Sequence, residues 1–140
     1  MFENILYPAI ALIALQFIIA FIHFISSIMN MGEGKQWGNT VPLLPQEESP
    51  LWLKLQKNNI KNLFEFPLIF FFLVTIIWTS SVSIDSYYFF TYAAWCYFLF
   101  RLLHSIFHIF FRNGNLRSVP WVFSQATLIT MFIGFCIEIV

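Results

Sequence analysis

The chain has 140 residues, of which 59% are hydrophobic, 21% aromatic and only 10% charged, and its mean hydropathy is +0.76. Its basic and acidic residues cancel to a formal net charge of zero. A soluble chain of this length could not cover so much apolar surface, and a neutral chain offers no basic surface for nucleic acid. The composition therefore predicts one integral membrane domain over residues 1–140, with no nucleic-acid partner.

Four apolar runs, at residues 5–29, 60–78, 88–111 and 119–140, are long enough to cross a hydrocarbon core of roughly 30 Å. The first run is not typical of a cleaved signal peptide, because Glu3 precedes it and its apolar core is too long. We therefore predict an all-α membrane protein, a bundle of four transmembrane helices.

The distribution of basic residues predicts the orientation of this bundle. Apart from Arg101 in the third run, lysine and arginine are confined to the first and third connections and their flanks: Lys35, Lys54, Lys57, Lys61, Arg112 and Arg117. The amino terminus, the turn at residues 79–87 and the carboxyl terminus have none. The positive-inside rule then predicts both termini on the non-cytoplasmic side and the two basic connections in the cytoplasm.

The second helix carries charge into the apolar run that follows it. Asn58, Lys61, Asn62 and Glu65 recur at i, i+3, i+4 and i+7, so they share one helix face. A carboxylate at the head of a membrane span needs a cation, a hydrogen-bond donor or a water-filled pocket, which makes Glu65 a candidate site residue. Pro67 predicts a kink in this helix inside the bilayer.

The third helix places its strongly polar residues within an arc of about 100°: Arg101, His104, Ser105, His108 and Arg112. One explanation is a buried ion-pair seam, in which Arg101 or a histidine neutralises Glu65. However, the cations of the second and third helices outnumber this single carboxylate. The surplus of positive charge favours a site for an anionic ligand.

The start of the fourth helix has the features of a site for a thiolate or carboxylate. Its free N–H groups and positive dipole end favour an anion, and Arg117 beside the Ser118 hydroxyl could activate a bound thiol. Alternatively, Arg117 reaches lipid phosphates and Ser118 caps the helix. Cys96 and Cys136 lie in apolar runs without metal-ligand spacing, so we predict packing roles for both and no metal site.

Three motifs, in order on three helices, resemble the MAPEG superfamily, the membrane-associated proteins of eicosanoid and glutathione metabolism. They are Asn62-x-x-Glu65 with Pro67 close behind, Arg101-x-x-His104-Ser105, and Leu116-Arg117-Ser118-Val119 with Gln125 further on. The resemblance covers nearly the whole chain. The sixteen-residue separation of Arg101 and Arg117 is similar to that in the prostaglandin E synthase and microsomal glutathione transferase branch.

The resemblance implies a homotrimer in a bacterial inner membrane or an endomembrane, with glutathione as co-substrate between subunits near the cytoplasmic face. A hydrophobic small molecule would arrive from the membrane lipids. Arg117 and Ser118 would be catalytic, at the sulfur. The glutathione-binding residues would be Asn62, Glu65, Arg101 and His104, together with the cations and histidine of the same polar faces, Lys61, His108 and Arg112.

Departures from the family pattern bear on the activity. Asn58 replaces an arginine that many members have, and Ile60 replaces a residue that is often polar, so the glutathione clamp is expected to be weaker. His108 and Trp121 stand where the prostaglandin synthase branch has tyrosines, which argues against that activity. The leading hypothesis is a glutathione-dependent transferase or peroxidase for lipophilic electrophiles or hydroperoxides. The alternatives are a non-catalytic lipid-presenting protein of the same fold and a small transporter.

Overall fold

The structure is a computed structural model that describes residues 4–29, 51–110 and 114–140 of the chain. These residues fold into a bundle of helices. These residues form α1 (Leu6–Met29), α2 (Leu51–Glu65), α3 (Pro67–Thr79), α4 (Ile84–Phe110) and α5 (Gly114–Glu138). Together α2 and α3 make one segment, so the described residues include four helical segments long and apolar enough to cross a membrane. The predicted all-α, four-span architecture is confirmed, and the orientation of the termini stays a prediction. Lys35 and Arg112 lie outside the described residues.

Besides α2, which begins at Leu51 ahead of the apolar run at 60–78, two helices begin earlier than their apolar runs. The third span starts at Ile84 instead of residue 88, and the last helix starts at Gly114 instead of residue 119. At the first of these ends, the Ser83 hydroxyl accepts a hydrogen bond from the Ser86 backbone N–H at 3.3 Å, as a helix cap does. Both starts contain polar residues, Asp85 and Ser86 in one and Asn115 and Arg117 in the other, which an apolar pattern does not detect.

The bundle buries one stripe of each helix and exposes large apolar side chains around its perimeter. Four core side chains are fully buried: Leu12, Leu63, Phe70 and Met131. Phe70 stacks on Tyr97 with ring centroids 4.3 Å apart. On the outside, large side chains on every membrane-length segment are more than half exposed, among them Phe17, Phe72, Tyr92 and Phe132. This inverted surface suits a chain whose solvent is lipid.

The second span is interrupted at Phe66, directly before Pro67, as the sequence predicts. Phe66 keeps helical dihedral angles, with φ −76° and ψ −35°, so the backbone continues from α2 into α3. A proline inside a helical segment bends it. Because Pro67 has no N–H, the Leu63 carbonyl four residues earlier lacks its helical donor. The side-chain amide of Gln16, on α1, donates to that carbonyl at 2.6 Å.

At the amino-terminal end of α4, a carboxylate joins two helices. Glu138, at the end of α5, accepts hydrogen bonds from the Ser83 backbone N–H at 2.9 Å and from the Ser86 hydroxyl at 2.6 Å. The carboxylate therefore lies at the amino-terminal end of α4, where the helix dipole favours negative charge. These bonds fasten the carboxyl-terminal end of α5 to the amino-terminal end of α4.

Candidate active site

A cleft of about 290 Å³ opens between α2, α4 and α5, at the end of the bundle where α4 finishes and α5 begins. Its lining combines polar side chains with two aromatic rings: Asn62, Phe66, His104, His108, Arg117, Ser118 and Trp121. The five polar residues are all candidates from the sequence. No carboxylate lines this cleft within the described part of the chain.

The polar arc of α4 faces the interior of the bundle as predicted. Arg101, His104, Ser105 and His108 are each less than 5% exposed. His104 Nδ1 lies 2.8 Å from the Arg117 carbonyl oxygen, and since a carbonyl only accepts, Nδ1 carries a hydrogen. His104 Nε2 is buried and has no hydrogen-bond partner among the described residues, so this nitrogen is available to a ligand in the cleft.

Arg101 lies behind the cleft and is fully buried. Its Nη2 donates a hydrogen bond to the carbonyl of Asn62, a residue that lines the cleft. Within the described residues, its Nε and Nη1 have no hydrogen-bond partner. Removing a guanidinium from water without an anion or a full set of acceptors is costly, typically several kcal/mol. The site therefore contains a buried cation whose remaining donors are unused.

A comparison with protein-family models matches the MAPEG family over residues 5–137, nearly the whole chain. The chain belongs to the MAPEG family. This membership, together with the four apolar helical segments, identifies a multi-pass membrane protein related to glutathione and eicosanoid metabolism. Searches of curated proteins and of solved structures gave no significant match.

Lys61 and Glu65, both predicted to bind the ligand, lie on the outer surface of this MAPEG chain and do not line the cleft. Lys61 Nζ and Glu65 Oε1 are 3.8 Å apart, and their side chains are 69% and 56% exposed. A pair with this exposure contributes little to stability. The interpretation that Arg101 or a histidine neutralises Glu65 in a buried seam is wrong for the described chain, because Glu65 faces outward and pairs with its own helix.

The start of α5 also differs from one interpretation of the sequence. Since this helix begins at Gly114, Ser118 lies in its second turn and is not an N-cap residue. Its side chain is exposed at the cleft, next to the half-buried Arg117. The helix-capping role for Ser118 is therefore excluded, and Ser118 lies with Arg117 in the wall of the cleft.

The inner face of α2 carries polar residues that are not among the candidates predicted from the sequence. Asn59 is fully buried and its Oδ1 accepts a hydrogen bond from the Ser105 hydroxyl at 3.2 Å, while Gln56 is 9% exposed. Their spacing could have revealed them, because Gln56, Asn59 and Leu63 lie at i, i+3 and i+7 and continue the apolar stripe of the core. Next to Asn62 of the cleft wall, α2 and α4 are therefore also joined through the Asn59 amide and the Ser105 hydroxyl.

Proposed function

We propose that this MAPEG protein is a glutathione-dependent transferase or peroxidase acting on lipophilic electrophiles or hydroperoxides. The observation that supports it is a cleft with Arg117, two histidines and a serine in its wall and no carboxylate among its described lining residues. Glutathione carries two carboxylates and a thiol, so it supplies the anions that such a cleft lacks. The unused donors of Arg101, immediately behind Asn62, add to this demand for an anion.

In the proposed reaction Arg117 and Ser118 act at the sulfur. A guanidinium beside a thiol favours the thiolate, which is the reactive nucleophile, and a hydroxyl can donate a hydrogen bond to it. In conjugation, the thiolate forms an S–C bond and the leaving group departs with its electron pair. With a hydroperoxide, the thiolate attacks oxygen and breaks the O–O bond, giving an alcohol and a sulfenic acid. A second glutathione then reduces the sulfenic acid, forming a disulfide and water.

The apolar part of the cleft suits a substrate that arrives from the bilayer. Phe66 and Trp121 pack edge to face across it, with ring centroids 5.5 Å apart and planes at 87°. On the same turns of α5, Val119 and Val122 are 56% and 54% exposed, and in a membrane such side chains would face the lipid. A hydrophobic molecule can therefore reach the aromatic wall without crossing water.

The same aromatic wall favours the alternative of a lipid-presenting protein with no chemistry of its own. In that case the cleft would hold a lipid or fatty acid against Phe66 and Trp121, and Arg117 would bind its carboxylate. The two functions differ in the role of Arg117. In the enzyme it would raise the reaction rate, and in the lipid-presenting protein it would contribute only to ligand binding.

Glutathione binding is the first test of this proposal. Titration calorimetry of the detergent-solubilised protein is expected to show binding at millimolar or better affinity, because the cleft offers cationic and neutral donors and its described lining has no competing carboxylate. The glutathione analogue with a methyl group in place of the thiol serves as control and should bind more weakly, since it cannot form the thiolate. No heat above dilution at millimolar glutathione would contradict the proposal.

We also propose that the protein is a homotrimer whose active sites lie near the cytoplasmic face. Asn58, Lys61 and Glu65 turn outward from the chain at the membrane entry of α2, where a neighbouring subunit would cover them. Native mass spectrometry is expected to show trimers. Glu65→Gln should weaken the trimer, whereas Asp85→Asn, which removes an exposed carboxylate elsewhere, should not. A monomer as the sole species would refute this assembly.

A further inference from the structure

Two neighbouring carbonyl groups at the α2–α3 junction receive side-chain donors from two other helices. The amide of Gln16, on α1, donates to the Leu63 carbonyl, and Nη2 of Arg101, on α4, donates to the Asn62 carbonyl. The first of these carbonyls has no helical donor because Pro67 has no N–H. A side chain 47 residues away in sequence therefore substitutes for the missing backbone group.

This contact lies in a dry part of the bundle. Gln16 is 7% exposed and Leu63 is fully buried, so water cannot replace the amide as a donor. Gln16 is also the only strongly polar residue between Leu6 and Phe21 in an apolar helix. A buried amide in such a helix costs free energy unless it is hydrogen-bonded, and here its Nε2 is bonded to the one carbonyl in α2 that Pro67 leaves without a donor.

The residues on either side of Leu63 connect the junction to the cleft. Asn62 comes directly before Leu63 and Phe66 directly before Pro67, and both line the cleft. Phe66 also contacts Trp121 on the opposite wall. A change in the bend at this junction would therefore displace the α2 wall relative to α4 and α5.

We infer that Gln16 is a positioning residue for the cleft. By donating to the Leu63 carbonyl it fixes the bend between α2 and α3, and the bend sets where Asn62 and Phe66 stand opposite Arg117 and Trp121. The part of this inference that concerns glutathione rests on the proposed function. The part that concerns the bend does not, and it is measured separately.

The test uses Gln16→Met, which keeps the length of the side chain and removes the donor. Only two Leu–Phe steps occur in the chain, Leu63–Phe64 and Leu99–Phe100. Labelling leucine carbonyl carbons with 13C and phenylalanine nitrogens with 15N therefore gives two carbonyl–amide correlations in the NMR spectrum of the detergent-solubilised protein. The Leu63 signal is expected to shift in Gln16→Met, and the Leu99 signal is the internal reference.

A second NMR signal reports on the cleft itself. The Trp121 indole resonance senses the Phe66 ring beside it, so it should shift in Gln16→Met, whereas that of Trp78, exposed at the end of α3, should not. Leu15→Met is the matched control, because it alters the neighbouring buried side chain of α1 without removing a donor. It should leave both the Leu63 and the Trp121 signals in place.

Pro67→Ala supplies the decisive background. It restores an N–H that can bond the Leu63 carbonyl, so adding Gln16→Met to Pro67→Ala should no longer shift the Leu63 signal. In the native background, Gln16→Met should raise the dissociation constant for glutathione roughly 3- to 10-fold, the size expected for losing one neutral hydrogen bond. In the Pro67→Ala background the same substitution should change it much less.

Several results would overturn the inference. One is a Leu63 signal that does not shift in Gln16→Met, and another is a shifted Leu63 signal with an unchanged Trp121 signal, since Gln16 would then have no effect on the cleft. If Gln16→Met alone does not fold, the double variant with Pro67→Ala decides: a folded double variant supports the inference and an unfolded one refutes it. Absence of glutathione binding by the wild type would contradict the proposed function, while both NMR readouts would still decide the role of Gln16.

Discussion

Replacing Arg117 with alanine is expected to slow conjugation of a simple electrophile by roughly 30- to 1000-fold while changing glutathione affinity much less. Arg117 lines the cleft beside Ser118, and its carbonyl holds the His104 ring. If it stabilises the thiolate as the new bond forms, it contributes more in the transition state than in the resting complex. A charge-assisted contact in a partly dried site contributes about 2–4 kcal/mol, which gives the range above. Steady-state kinetics together with calorimetry measures both quantities.

Two variants control for charge and for position. Lys57→Ala removes an exposed cation of α2 that does not line the cleft, so it should leave turnover unchanged. Arg117→Lys keeps the charge but not the planar guanidinium, and it should restore part of the rate. No conjugation by the wild type, together with weaker lipid binding in Arg117→Ala, would identify a lipid-presenting protein. Unchanged turnover in Arg117→Ala would mean that Arg117 only anchors the protein to lipid phosphates.

Replacing Arg101 with methionine is expected to lower glutathione affinity by about 10- to 150-fold, the equivalent of one or more hydrogen bonds to a charged group. The same substitution should leave the unliganded protein as stable as the wild type, or more stable. Arg101 is fully buried, and two of its nitrogens have no partner among the described residues. Replacing an incompletely paired buried charge by an apolar side chain is often neutral or stabilising. Thermal unfolding with and without glutathione separates the two effects.

Ser105→Ala is the matched control for Arg101→Met. It removes the hydrogen bond to Asn59 from the same face of α4 without removing a charge, so it should lower stability slightly and affect glutathione affinity little. If Arg101→Met instead unfolds the unliganded protein and the folded fraction binds glutathione normally, Arg101 is a structural residue. Its hydrogen bond to the Asn62 carbonyl would then be its whole function.

The sequence was sufficient for the features that depend on local pattern. Long apolar runs predict the four spans, Pro67 predicts the interruption at Phe66, and the spacing of Arg101, His104 and His108 predicts a shared face. The bundle buries this face because lipid cannot hydrogen-bond its polar side chains, so they turn toward the other helices. The family resemblance then predicted that Arg117 belongs to the same site, and Arg117 does line the cleft with His104 and His108.

The direction of the α2 face could not be predicted in the same way. Periodicity shows that Lys61 and Glu65 lie together, but not whether they point into the chain or away from it. In the structure both side chains face outward and Asn59 is buried, because Asn59 lies on the same helix face as the apolar residues of the core. The role of Gln16 could not be predicted either, since its partner is a backbone carbonyl 47 residues away, which the local sequence pattern does not indicate.

The bonds between Glu138 and the start of α4 also bear on how this protein could change its substrate over evolution. At that end α4 and α5 are joined through Ser83 and Ser86, and at the cleft end the His104 ring of α4 donates a hydrogen bond to the Arg117 carbonyl of α5. The cleft wall that they form is thus anchored at both ends, whereas the α2 wall depends on a bend at a proline. Selection for larger or smaller substrates is therefore expected to act on Phe66 and the packing behind it, leaving Trp121 and its helix pair as the constant half of the site.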